Sequence, residues 1–279
     1  MSQDMSDFSP AVMTRAIIDN LHHFADRVSA LPGAEILPIG GSIGYFTDNP
    51  LSLFNGVVQP RFSPDTVEGA ITTFQARARA RGVAMSWYLP PGSEPVDLAE
   101  RLLAHGFTRG EVAVGMAMRL DHLPAEPLPA GITIQRVADP ALLRTWVALS
   151  AQNFSGEPVD LPTAFVESLV QVFAADGLGD HARTCAYLAA LDGRPVATAL
   201  VVYAGGAAGI YAVTTAPAAR GRGIGRAVTL ASLHAAYARG YRVGILQANS
   251  MAISVYRALG FEEYCVIPEY LWPGDPVVG

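Results

Sequence analysis

"VTTAPAARGRGIGRAV", residues 213–228, decides how this chain is read. An alternating strand end gives way to a proline. Three arginines and three glycines follow in alternation, and then an Ala/Val/Leu run begins that reads as a helix. A helix N-terminus leaves several backbone N–H groups without intrahelical partners, and the helix dipole adds about half a positive charge there. The two together make an anion site. Gly221, Gly223 and Gly225 let a phosphate approach the amides with no Cβ in the way, while Arg220, Arg222 and Arg226 add charge. A pyrophosphate is the natural guest. No Lys-Ser/Thr pair follows the last glycine, so this is not a P-loop. The glycines do not follow the first strand of a βαβ unit with an acid about 20 residues on, so it is not a dinucleotide fingerprint either.

Working outward, the pattern from residue 131 predicts strand "ITIQRV" and a helix capped by Asp139 with Pro140 at its first position. A second helix, "TAFVESLVQVF", comes next. Two strands then meet at Asp192-Gly193, a hairpin signal, and a third strand runs into the quoted segment. The helix after that segment leads to strand "YRVGILQA", helix "SMAISVYRALG" and terminal strands "FEEYCVIP" and "YLWPG". Three consecutive strands before the main helix imply a mixed α/β (α+β) layer rather than a doubly wound sheet.

A second segment, "NSMAISVYRALGFEE" (249–263), completes a pair of motifs. Together with "VTTAPAARGRGIGRAV" it resembles the GNAT superfamily of N-acetyltransferases. There an Arg/Gln-x-x-Gly-x-Gly/Ala loop holds the pyrophosphate of coenzyme A, and an Asn-x-x-Ala-x-x-x-Tyr-x-x-x-Gly-Phe segment follows. The resemblance covers residues 131–279. It implies acetyl-CoA, or another acyl-CoA, as cosubstrate and a small-molecule or peptide amine as acceptor. It assigns cosubstrate contacts to Val213, Thr214, Thr215, Arg220, Gly221, Arg222, Gly223, Ile224, Gly225, Arg226 and Asn249. It makes Tyr256 the general acid for the leaving thiolate, and it places an oxyanion-binding amide near Val213–Thr215, at the split between two central strands. A non-catalytic acyl-CoA sensor using the same loop is the alternative.

The N-terminal half rhymes with this order. "SLFNGVVQP", "TVEGAITTFQARARARG", "VAMSWYLPP", "VDLAERLLAHGF" and "TRGEVAVGMAMRL" repeat strand, helix-Gly, strand, helix-Gly-Phe, strand. Its counterpart of the glycine loop, "VVQPRFSPDTVEGA", has two prolines and one glycine, and Leu102 stands where Tyr256 does. The expectation is therefore two GNAT-like domains, each a mixed, mostly antiparallel sheet flanked by helices. Residues 1–124 would be a degenerate domain without cofactor motif, 125–130 a proline-rich linker and 131–279 the catalytic domain.

For the general base the sequence offers Glu157, Asp160, Glu262 and Glu263, each with a reading as a plain surface acid. The acceptor pocket is expected from 153–162 and from Tyr270 and Trp272. His181 and His234 read as structural, and Arg77, Arg79 and Arg81 as a solvated helix end. The net charge of −6 argues against nucleic acid as the main partner. All nineteen basic residues are arginine. Cys185 and Cys265 lack metal-ligand spacing, and no metal is expected. No signal peptide and no uncharged apolar run of about 18 residues is read, so a cytoplasmic monomer or homodimer with no membrane contact is expected.

Overall fold

The computed structural model describes residues 7–29, 33–153, 163–174, 178 and 182–274. The elements follow in the order α1 (Pro10–Ser29), β1 (Glu35–Ile39), β2 (Ser42–Phe46), β3 (Gly56–Val58), α2 (Val67–Arg81), β4 (Met85–Tyr88), α3 (Leu98–Ala104), β5 (Thr108–Arg119) and β6 (Ile132–Arg136). Then come α4 (Pro140–Asn153), α5 (Thr163–Ala174), β7 (Thr184–Leu191), β8 (Arg194–Ala204), β9 (Ala207–Thr215), α6 (Ile224–Ala238), β10 (Val243–Ala248), α7 (Ile253–Leu259) and β11 (Glu262–Trp272). No helix among the described residues is long and apolar enough to cross a membrane.

Two compact units emerge. The first holds Met1–Asn20, Met116–Gln247 and Ala252–Tyr264; the second holds Leu21–Gly115, Ala248–Met251 and Cys265–Gly279. The division does not follow a single cut at residues 125–130. The start of α1 belongs to the first unit, and the C-terminal part of β11 pairs antiparallel with β4 in the second, Tyr270 opposite Trp87. The terminal segment expected as two strands is this one continuous strand.

In the first unit the strands neighbour one another in the order β10-β9-β8-β7-β6. Pairings are antiparallel except β9 with β10. Asp192 and Gly193 both take positive φ, 48° and 79°, as the tight hairpin turn demands. Asp139 caps α4 as its sequence foretells: Oδ1 accepts from the amides of Ala141 and Leu142, each at 2.9 Å. That helix buries Leu143, Trp146 and Val147. The Trp146 indole N–H donates to Ala199 O at 3.2 Å, so its polar edge is satisfied inside the core.

The start of α1, up to Asn20, completes this unit. Asn20, 1% exposed, donates from Nδ2 to the carbonyls of Val202, Ala204 and Ala207 and accepts the Tyr211 hydroxyl at 2.8 Å. It thereby ties down the β8–β9 turn. Gly209 must lack a Cβ because one would sit 2.1 Å from Asn20 Oδ1. Asn20→Ala strands these partners and opens a cavity. It should cost about 3 kcal/mol and lower the calorimetric melting midpoint by roughly 6–12 °C.

The second unit orders its strands β1-β2-β3-β4-β11, with β3 and β4 parallel. Its core stacks Phe62, Phe74, Trp87 and Phe107; the Phe74 and Trp87 rings meet edge-on at 5.5 Å. The run β3-α2-β4-α3-β5 repeats the run β9-α6-β10-α7-β11, as the sequence rhyme predicts. Arg77 and Arg79 of α2 are exposed, as expected of a solvated helix end, and all three arginines also find partners. Arg77 and Arg81 pair with Glu35, Arg81 also reaches Asp48 at 2.7 Å, and Arg79 lies over the Trp272 ring.

Candidate functional site

The site is built on a break in a strand. β9 and β10 stay in parallel register over Ala208–Ile210 and Gly244–Leu246. Just beyond, the β8–β9 register shifts: Leu200 faces Tyr211, but Thr198 faces Thr214. Ala212 and Val213 therefore share one partner, and Ala212 takes φ 47°. This is a β-bulge, a device that re-aims the strand beyond it. Thr198 braces it by donating Oγ1 to Ala212 O at 2.8 Å and lying 2.9 Å from Thr214 Oγ1. Val213, Thr214 and Thr215 thus lie past the point where the two parallel strands stay paired. No sequence signal marked Ala212 or Thr198.

From Thr215 the chain makes a short 3-10 turn at Pro217–Ala219 and enters α6 through two left-handed glycines, Gly221 at φ 72° and Gly223 at φ 73°. Gly223 is the N-cap of α6, and no side chain of the described residues caps the helix. The amides of Ile224, Gly225 and Arg226 open a fifteen-residue helix with no side-chain acceptor of the kind that normally fills this place. Among the described residues, nothing lies within 4 Å of where a Gly221 Cβ would be. A Cβ on Gly225 would stand 3.2 Å from Thr215 Oγ1, so the strand end and the helix start meet through that glycine.

The three arginines separate. Arg220 folds back, donating Nε to Thr215 O at 3.0 Å. Arg222 is exposed and makes no ion pair among the described residues. Arg226 turns away from the loop. Its Nε donates to Glu126 Oε2 at 2.8 Å, and Nη1 donates to Ala258 O at 3.1 Å. The Arg226 hydrogen bond holds the Glu126 carboxyl below its usual range. Glu126 lies in the stretch expected to be a linker; that stretch instead runs along α6, where Pro124 O also meets His234 Nε2 at 3.1 Å.

Tyr256 sits on α7, which ends at Gly260 in a left-handed cap, φ 102°. Its ring packs edge-on against Phe261, centroids 5.8 Å apart. Burial pushes the phenol up to about 12. Asn249 lies in the turn between β10 and α7, and that turn, Ala248–Met251, is grouped with the second unit.

The acids fare less well. Glu157, Asp160 and His181 lie outside the described residues. Glu262 accepts the Tyr264 hydroxyl at 3.1 Å, and Glu263 pairs with Arg257. Tyr270 and Trp272, expected to line the acceptor pocket, are buried in the core of the second unit, 5% and 4% exposed. Their alternation along β11 turns both rings inward.

Residues 146–261 match the profile of the acetyltransferase (GNAT) family. That matched segment is similar to a GNAT acetyltransferase domain. A mycothiol acetyltransferase of Thermomonospora curvata is 29% identical over 204 residues, which are 71% of this chain and 66% of that protein. The chain thus spans just under two thirds of that relative's length. A GCN5-related N-acetyltransferase of Kribbella flavida superposes on 95% of the chain, and on 96% of its own, with a TM-score of 0.69 at 22% identity. A tandem GNAT protein from the clavulanic acid biosynthesis pathway covers 98% of this chain and 97% of its own, TM-score 0.59, at 15% identity. At these identities the structures establish the fold alone, a mixed, mostly antiparallel sheet flanked by helices.

The segment matched to the GNAT family contains both the glycine loop and Tyr256. The corresponding place in the second unit is built differently. The β3–α2 loop is stitched to the β4–α3 loop: Phe62 N donates to Glu94 O at 3.2 Å, and Glu94 N to Pro60 O at 2.9 Å. A backbone ladder runs where the first unit has the glycine turn that opens α6.

Proposed function

We propose that this protein transfers an acetyl group from acetyl-CoA to the amine of a small molecule or peptide. The observation that carries this reading is the uncapped start of α6. The pyrophosphate fits its chemistry: three first-turn amides without a side-chain acceptor, two left-handed glycines with space beside them, and the cations Arg220 and Arg222. Ile224 and Gly225 contribute amides, and Val213, Thr214 and Thr215 offer the backbone edge for the pantetheine arm. Asn249 is assigned to that arm on the family motif alone.

The acceptor amine attacks the thioester carbonyl as a neutral base, so its proton must first pass to a water chain or a carboxylate. An amide of the re-aimed segment Val213–Thr215 faces the developing oxyanion. The C–N bond forms, the C–S bond breaks, and the Tyr256 hydroxyl gives its proton to the departing sulfur; the surplus proton on nitrogen leaves to water, and solvent returns one to Tyr256. The second unit is read as a worn copy that takes no cosubstrate, a reading its bridged loops support.

The pH profile follows from these assignments. Rate should rise with pH as the acceptor amine loses its proton. Tyr256, held protonated by burial, imposes no alkaline fall below about pH 11. An alkaline limb near pH 9 in kcat would remove Tyr256 from the acid role. The activity itself is tested by following thiol release from acetyl-CoA across a panel of amines, headed by the acceptor of the Thermomonospora relative. No thiol release above the acceptor-free rate with any amine would sink the transfer reading.

A further inference from the structure

A cleft of about 820 Å³ opens on the second unit, between the β3–α2 and β4–α3 loops. That volume is in the range of small-molecule sites. Arg61, Pro64, Glu94, Pro95 and Val96 line it, and Phe62 of the aromatic core backs it. Its frame is fixed by backbone bonds: Phe62 N donates to Glu94 O, Glu94 N to Pro60 O, and Gly41 N to Arg61 O at 3.1 Å. Arg61 and Glu94 are partners in a parallel bridge, so they stand on chains about 4.8 Å apart. Opposite charges at neighbouring positions of paired chains ordinarily attract each other. These two do not meet. The Arg61 guanidinium lies over Gly92 instead, where a Cβ would stand 3.6 Å from Nη2. Among the described residues, neither Arg61 nor Glu94 makes a side-chain ion pair. The other cation of the cleft, Arg101, is already taken: Nη1 meets Glu68 Oε1 at 2.7 Å, and Nε donates to Asp97 Oδ2 at 3.0 Å. The cleft thus offers one open guanidinium and one open carboxylate side by side. Next to them stands Val96, an apolar side chain 100% exposed.

We propose that this cleft binds a free α-amino acid with a large apolar side chain. Such a molecule carries its ammonium and its carboxylate on one carbon, so its two charges match two charges on adjacent chains. The carboxylate takes the planar guanidinium of Arg61, and the ammonium donates to the Glu94 carboxylate. The side chain covers Val96 and the two prolines, which removes apolar surface from water. A simple anion would be repelled by Glu94, and a simple amine by Arg61, so the pair selects a zwitterion over either. The proposal does not draw on the acetyl-transfer reading. It gives the second unit a ligand of its own.

The test titrates L-leucine into the full chain by calorimetry. Beside it run L-leucinamide, which lacks the carboxylate, N-acetyl-L-leucine, which lacks the ammonium, and glycine, which lacks the side chain. The wild type should bind leucine, and each of the other three roughly tenfold more weakly. Arg61→Gln should weaken leucine about tenfold and bring leucinamide level with it. Glu94→Gln should do the same and bring N-acetyl-L-leucine level. Both positions are exposed, so the variants should stay folded. Val96→Ser, at a side chain wholly in water, should weaken leucine by about threefold. Leucine affinity unchanged in both charge variants would put the ligand elsewhere and overturn the proposal. So would analogues that bind the wild type as well as leucine does. No saturable binding of leucine at about 10 mM would also overturn it.

Discussion

Gly223→Glu will lower acetyl-CoA affinity at least a hundredfold while leaving the chain folded. Two effects combine. Gly223 holds φ 73°, a left-handed conformation that costs a residue with a Cβ about 1 kcal/mol. The new carboxylate also stands at the N-cap of α6, where it competes for the free amides and repels a phosphate. A unit charge at about 5 Å in a partly exposed site contributes roughly 3 kcal/mol against each phosphate charge. A hundredfold loss needs only about 2.7 kcal/mol. The fold should tolerate the change, because Gly223 is exposed and an N-cap acid is itself favourable to the helix. Affinity falls while the melting temperature of the ligand-free protein stays within a few degrees. Equilibrium dialysis with acetyl-CoA, beside a thermal melt, separates the two.

Tyr256→Phe will reduce kcat by about 10- to 100-fold with little change in the dissociation constant of acetyl-CoA. The ring keeps its edge-on contact with Phe261, and among the described residues the hydroxyl makes no hydrogen bond, so the substitution should be structurally mild. The size of the effect is set by acidity. A phenol raised to about 12 is a weaker acid than an ordinary thiol near 8.5. Complete proton transfer to a free thiolate would be uphill by roughly 5 kcal/mol. The proton therefore moves only as the C–S bond breaks, or the phenol helps chiefly as a hydrogen-bond donor. Either limits its contribution to the low end of acid catalysis. Single-turnover rates at saturating acceptor measure it; an unchanged rate of the chemical step would take Tyr256 out of the mechanism.

Much of this was legible in the sequence wherever a local rule applied. Asp139-Pro140 marked a helix start and Asp192-Gly193 a hairpin, because cap and turn chemistry depends on a few neighbouring residues. The glycine–arginine run marked the start of α6 for the same reason. What stayed hidden depends on partners far along the chain. Asn20 bonds the β8–β9 turn over 180 residues away, and nothing around it announces that. Prolines made 125–130 look like a linker, whereas Glu126 reaches Arg226 one hundred residues on and fastens the stretch to α6. The bulge at Ala212 left no mark, since alanine is an ordinary strand residue there. Tyr270 and Trp272 looked available as terminal aromatics, but the pairing of β11 with β4 buries them.

The central claim is that one GNAT domain in this chain binds acetyl-CoA at the start of α6. Isothermal titration of the wild-type protein with acetyl-CoA tests it most directly. The account predicts saturable binding with one site per chain, abolished in Gly223→Glu. Two sites per chain would show that the bridged loops of the second unit also accept cosubstrate. Absence of binding by a folded chain at millimolar acetyl-CoA would contradict the account at its root.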